Sequence, residues 1–253
     1  MVAKHPRDMH GLRRADQATA CLLAELAALA RPEITTAALD VHAAATIQRL
    51  GAEPVFRTQN GFPSCINTSV NDEAVHGVPG DRVLLAGDLL KIDCGLRLGG
   101  YCGDSTITIA VGPDERVSKS RRVVIEVARE AMQRGIGAVR VGGAAGDIGH
   151  AMGTFVTARG YQLLRAYTGH GLGRRLWEPP TIPSVGRPGT GARIVEGLVL
   201  TIEPIVVGPG AMVLVDADGW TVRTADGTPA AQFENAVMAT RFGVEVLSQT
   251  PVA

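Results

Sequence analysis

Asp93, Asp104, His170, Glu203 and Glu234 are the residues of this 253-residue chain whose types and placement could do chemistry. Each of the four acids sits in, or at the end of, an apolar strand-like segment. Ionised carboxylates are costly to bury and repel one another unless cations neutralise them. A carboxylate-rich set with one imidazole has the donor chemistry of a shell for two divalent metals.

Spacing carries part of this reading. Residues 89–95 and 104–111 alternate as two strands, with Leu98-Gly99-Gly100 as a turn signal between them. A turn at Leu98 and Gly99 pairs Arg97 with Gly100 and sets Asp93 opposite Asp104. Like charges directly opposite on a sheet destabilise it, so such a hairpin calls for a cation or a proton. The same spacing also allows two solvated acids near a turn. A second pair repeats the theme. Residues 198–204 read as an apolar strand closed by Glu203-Pro204, and residues 231–238 as a strand with Glu234 inside it.

Helices must carry these strands. Residues 12–30 and 36–50 read as a first helix pair, stopped by Pro32 and by Gly51. Residues 118–134 and 147–159 read as a second pair, ended by Gly135 and Gly160, with Asp147 near the last helix's start. Two helices followed by strands, twice over, is a weak internal repeat. The class is α+β. No linker divides the chain, so residues 1–253 form one catalytic domain, with residues 1–10 as a flexible tail. Residues 184–193, rich in Gly and Pro, read as a surface loop.

The Gly169-His170-Gly171-Leu172-Gly173 run lacks the spacing of a dinucleotide loop, and residues 141–147 lack the ending of a phosphate loop. His5, His10, His42 and His150 read as structural or solvated.

Several motifs, in order, resemble those of type I methionine aminopeptidases. They are Asn67-Thr68-Ser69-Val70-Asn71-Asp72-Glu73-Ala74-Val75-His76-Gly77-Val78-Pro79, Lys91-Ile92-Asp93, Gly103-Asp104-Ser105-Thr106, Thr168-Gly169-His170-Gly171, Thr201-Ile202-Glu203-Pro204, Asp218-Gly219-Trp220 and Gln232-Phe233-Glu234. The resemblance spans residues 9–247. It implies the pita-bread fold, a pseudo-twofold antiparallel sheet with two helix pairs on its outer face.

The same resemblance implies roles. Asp104 and Glu234 bridge two metals, Asp93 binds one of them, and His170 with Glu203 binds the other. Glu203 also takes the proton of the attacking water, and His76 stands beside the scissile amide. Mn²⁺, Fe²⁺, Co²⁺ and Zn²⁺ all suit such ligands. Phe56, Gln59, Phe62, Asn67, Trp177 and Trp220 fall at substrate-pocket positions. The chain departs from the family there. Trp177 stands where the family has a second histidine, and Leu176 where it has an aromatic pocket residue. Phe56 and Asn67 replace cysteines, and Gln59 replaces a tyrosine.

Composition agrees with an enzyme of the cytoplasm. Basic and acidic residues balance at 25 each, which gives no bulk attraction to nucleic acid or membranes. There is no leader-like apolar segment after Met1 and no apolar run long enough to cross a bilayer. The four cysteines form no CxxC and are expected as free thiols. The expected activity is removal of N-terminal methionine from peptides and nascent chains by a monomer, with transient ribosome contact. Two alternatives stand beside it: a diverged dinuclear aminopeptidase with another substrate, and a non-catalytic binding protein on the same fold.

Overall fold

Apolar residues at three- and four-residue spacing build the first helix, α1 (Pro6–Leu29). Leu12, Ala15, Thr19, Leu22, Leu23 and Leu26 form its buried stripe, and Pro6 lies in its first turn. The computed structural model describes residues 1–248, except for the side chains of Gln59 and Asn60. Within it, residues 1–10 are not the expected tail. Val2 bridges Leu198, the buried Ala3 donates its N–H to Gly197 O at 2.7 Å, and α1 already begins at Pro6.

α2 (Thr36–Arg49) starts where the Thr35 hydroxyl accepts the Ala38 N–H at 3.2 Å, and Gly51 follows at φ +63° as a left-handed stop. Then come β1 (Glu53–Pro54), α3 (Val55–Asn60), β2 (Ile66–Val70), β3 (Glu73–Val75), β4 (Leu89–Leu98) and β5 (Tyr101–Ala110). The second half opens with α4 (Lys119–Gly137) and α5 (Ala145–Ala158). It continues with β6 (Gln162–Leu163), β7 (Gly169–Gly171), β8 (Glu178–Ile182), β9 (Val199–Ile202) and β10 (Ile205–Val207). The chain closes with β11 (Val213–Val215), β12 (Val222–Thr224), β13 (Ala231–Gln232), β14 (Glu234–Thr240) and β15 (Gly243–Val246).

α4 runs through Gly135 rather than ending there. A Cβ on Gly135 would lie 2.7 Å from Ile202 Cγ2 and 2.8 Å from Met152 Sδ. The glycine therefore serves close packing of α4 on β9 and α5, not a cap. Asp147 lies inside the first turn of α5, where it accepts the Ala144 N–H at 2.9 Å.

The main sheet has nine antiparallel strands in the order β1-β4-β5-β14-β9-β7-β8, with β2 on β4 and β15 on β14. Two three-stranded sheets, β13-β10-β6 and β11-β12-β3, flank it. α1 packs on β4 and β5, and α4 on β9, β10, β13 and β14. Leu23, Leu26, Ile47, Leu90, Ile92 and Cys94 share the core of the first half. Val127, Met152, Leu200, Ile202 and Val237 share that of the second. This is the expected pita-bread arrangement. Alternation in β4 places Leu90, Ile92 and Cys94 beneath the helices, so Lys91 and Asp93 point to the other face.

The hairpin register differs from expectation by one turn residue. Leu98 pairs with Tyr101, so Gly99 and Gly100 form the turn, at φ +60° and +83°. A two-residue turn with both φ positive favours Gly-Gly over a pair containing leucine. Asp93 therefore stands opposite Thr106, and Asp104 opposite Gly95. The four cysteines are free thiols. No described helix is long and apolar enough to cross a membrane.

Candidate metal centre

One rung of the main sheet carries Asp93 of β4, Thr106 of β5 and Glu234 of β14 side by side. Asp104 lies two residues back along β5, on the same face. β14 pairs next with β9, where Asn235 faces Ile202, and Glu203 follows directly. β7 pairs with β9 on its other side and brings His170. All five residues singled out from the sequence thus line one cavity of about 500 Å³. His170 Nε2 lies 3.6 Å from Asp104 Oδ2 and 3.5 Å from Glu203 Oε1. Asp104, His170 and Glu234 each offer a donor atom within 4.8 Å of the others.

The donor set fits a cation. Asp93 Oδ1, Asp104 Oδ1 and Glu234 Oε1 are buried without a hydrogen-bond partner among the described residues. Buried oxygens of this kind require a cation or a proton. Burial is the main cause that pushes Asp93 up to about 7 and Glu203 up to about 8. Asp104 and Glu234 rise well above the carboxylate range through burial and then through repulsion from their neighbours. A metal reverses this logic by paying the desolvation cost of the charged forms.

Neighbouring hydroxyls and one carbonyl aim the donors. His170 Nδ1 lies 3.1 Å from Gly171 O. A carbonyl only accepts, so the proton sits on Nδ1 and Nε2 faces the carboxylates. Burial holds His170 down at about 4, which keeps the imidazole neutral and able to ligate. Thr106 Oγ1 donates to Glu234 Oε2 at 2.8 Å. Thr201 Oγ1 accepts from the His170 N–H at 3.0 Å and donates to Glu203 Oε1 at 2.8 Å.

His76 also lines the cavity. It follows β3 at φ +58°, a conformation that costs a non-glycine residue roughly 1–2 kcal/mol. Gly77 permits this turn, since a Cβ there would lie 2.3 Å from Thr68 O. The His76 ring sits edge-on to Tyr167, 5.6 Å between centroids. Burial lowers its pKa and keeps it neutral.

Phe56, Phe62, Asn67, Trp177 and Trp220 line the cavity. Phe62 packs edge-to-face on Phe56 at 6.5 Å and on Trp220 at 5.3 Å. Asn67 pairs with Asp93 across β2 and β4. Trp177 is 49% exposed, and its ring stands at 88° to that of His170, 6.3 Å away. Leu176 is not a pocket residue. It is buried in the core with Leu12, Phe56 and Leu172. Gln59 lies in α3, but its side chain falls outside the described residues.

Two contributors, Tyr167 and Asp16, escaped the sequence reading, and Lys91 entered it only as part of a motif, without a role. Tyr167 has no motif of its own, and only the ring contact with His76 identifies it. Lys91 is fully buried, and its Nζ donates to Asn71 O at 2.8 Å and Ala230 O at 3.0 Å. It thereby ties the segment before His76 to the one before Glu234. Asp16 is fully buried in α1 and accepts the Asp104 N–H at 3.2 Å. Its signal was a polar residue on the helix's apolar stripe, four positions after Leu12.

The model of metallopeptidase family M24 matches residues 10–241. Methionine aminopeptidase 1 of Bacillus subtilis (strain 168) is 39% identical over 249 residues, covering 98% of this chain and 99% of its own. The methionine aminopeptidase of Clostridium acetobutylicum is 38% identical over 249 residues, with 98% of each chain covered. The crystal structure of methionine aminopeptidase from Rickettsia prowazekii has a TM-score of 0.93 and 34% identity, covering 98% of this chain and 100% of that one. Matches over nearly the full length, in sequence and in fold, mean that the chain belongs to metallopeptidase family M24, among its type I methionine aminopeptidases.

Proposed function

We propose that the chain hydrolyses the first peptide bond of peptides and nascent proteins that begin with methionine. The observation that carries this reading is the convergence of four carboxylates and one neutral imidazole on a single cavity. Two divalent ions, drawn from Mn²⁺, Fe²⁺, Co²⁺ and Zn²⁺, are the cofactors these donors suit. Asp104 and Glu234 would serve both ions, Asp93 would serve one of them, and His170 with Glu203 would serve the other. When bound, such ions polarise a scissile carbonyl and make water nucleophilic near neutral pH.

The chain's own residues do the rest. Glu203, oriented by Thr201, accepts the proton of the attacking water. His76, held neutral by burial, donates a hydrogen bond at the leaving amide nitrogen. Phe62 and Trp220 offer an apolar wall for the methionine side chain. The indole of Trp177 is a donor only and moves no proton.

The test is turnover of N-terminal tripeptides by metal-free protein supplied with Mn²⁺, Fe²⁺ or Co²⁺. Release of methionine ahead of other residues is the expected result. Release of a different first residue would point to an aminopeptidase with another substrate. Metal binding without release of any residue would overturn the enzyme reading.

A further inference from the structure

Asp16 is a carboxylic acid in the apolar stripe of a helix, a position that usually holds an alanine or a leucine. It is 0% exposed. Its Oδ1 accepts the backbone N–H of Asp104 at 3.2 Å, while Oδ2 has no hydrogen-bond partner among the described residues. Burying an acid this way is costly, so the bond its carboxyl makes to Asp104 needs a reason.

The sheet supplies that reason. β14 pairs with β5 only at Thr106 and Ser105. Beyond that point the two strands part. The Ala236 N–H goes to Ser248 Oγ at 2.9 Å, and Ala236 O accepts from Leu247 N–H at 2.9 Å. The Asp104 amide is left where β14 no longer reaches. An unpaired buried N–H there would cost about as much as a lost hydrogen bond. α1 comes close enough to fill the gap because residue 103 is glycine. A Cβ on Gly103 would lie 2.6 Å from Ala15 C and O and from Thr19 Oγ1.

We infer that Asp16 is a positioning residue for the metal centre: its carboxyl holds the Asp104 backbone, and so aims the Asp104 carboxylate towards His170 and Glu234. It acts from outside the ligand set, through the main chain of a ligand. The inference rests on Asp104 being a metal ligand. A role in helix packing alone would be met by any side chain of similar size. Positioning requires an acceptor at this atom.

Two substitutions separate these roles. Asp16→Asn keeps the shape and an acceptor oxygen, and Asp16→Leu keeps the bulk and removes the acceptor. Co²⁺ binding is measured by calorimetry and by the visible spectrum of bound Co²⁺, alongside steady-state turnover of a Met-Ala peptide. The expected result is Co²⁺ affinity about tenfold weaker in Asp16→Leu, with a changed spectrum, the lower end of the effect of losing a group that orients a ligand. kcat falls with it while KM stays, since Asp16 does not reach the substrate. Asp16→Asn retains affinity and spectrum. An Asp16→Leu protein that binds and turns over like the parent overturns the inference, as does an Asp16→Asn protein impaired to the same degree. Should Asp16→Leu not fold, Asp16→Ala removes the acceptor without adding bulk and is held to the same outcomes. Asp104→Asn is the control. If it keeps full Co²⁺ binding, the ligand assignment itself fails; if it loses binding, only the Asp16 inference is under test.

Discussion

The hydroxyl of Thr201 donates to Glu203 Oε1 at 2.8 Å. Thr201 Oγ1 also accepts from the His170 backbone N–H, so one side chain fixes the strand that carries the imidazole and the acid that faces it. Thr201→Val keeps the shape and removes both bonds. kcat/KM on a methionyl peptide is expected to fall about 10–100-fold, the usual cost of losing a group that orients a ligand. The fold is expected to survive, which circular dichroism checks.

Asp104 lies within reach of both His170 and Glu234. Asp104→Asn is expected to weaken both proposed metal sites, because Asp104 is the ligand proposed to serve two ions at once. Calorimetric titration of metal-free protein counts the sites. A variant that binds both ions at the parent's affinity would remove Asp104 from the bridging position.

His76 lines the cavity but stands outside the donor cluster. His76→Ala is expected to keep metal stoichiometry and to lose at least about 10²-fold in turnover, the scale of one proton-donating group. Loss of the metals, or full retention of rate, would contradict the assigned place beside the scissile amide.

Trp177 presents its ring at right angles to His170 on the cavity wall. An imidazole there could donate to the carbonyl oxygen as charge develops on it. Trp177→His is expected to raise kcat on Met-Ala peptides, up to the factor of about 10²–10³ such a donor supplies. The gain should fall in kcat rather than in KM. Lowered activity on every peptide would instead make Trp177 a wall of the substrate pocket.

The acid cluster sets the pH response of metal-free protein. Asp93 at about 7 and Glu203 at about 8 lie above their unfolded values of 3.8 and 4.5. The folded state then binds more protons than the unfolded one, so stability falls as pH rises. For Asp93 and Glu203 the loss begins near pH 4 and runs through about 7 and 8 respectively, and Asp104 and Glu234, also raised by burial, act in the same direction. Thermal melts of chelator-treated protein between these limits should show Tm declining with pH. Added Mn²⁺ or Co²⁺ should restore Tm most strongly at the alkaline end.

The four acids that meet in the cavity were legible because each is marked locally. An acid inside an apolar strand is conspicuous wherever that strand ends up, and Asp93, Asp104, Glu203 and Glu234 are all marked this way. The hairpin register was not legible to the residue. Leu98-Gly99 and Gly99-Gly100 both read as turns, and the choice fell to the pair in which both residues take positive φ. That choice moved Asp104 from directly opposite Asp93 to a diagonal, and put Thr106 between Asp93 and Glu234.

The helix limits divide in the same way. Gly51 and Gly160 end helices by their own backbone freedom and were foreseen. Gly135 looked identical in sequence, yet it lies inside α4 because Ile202 and Met152 press against it. Residues 1–10 read as a tail, and it is the distant Gly197 and Leu198 that hold Val2 and Ala3 in place.

The sequence by itself determined which side chains are candidate donors, because donor chemistry belongs to residue type and the order of strands follows the chain. Only the tertiary structure decided how those atoms are aimed. Asp16 reaches Asp104 across 88 positions, and Thr201 reaches His170 across 31. Such bonds depend on where strands part and how closely a helix approaches a sheet, quantities set by packing between segments and by no single stretch of sequence.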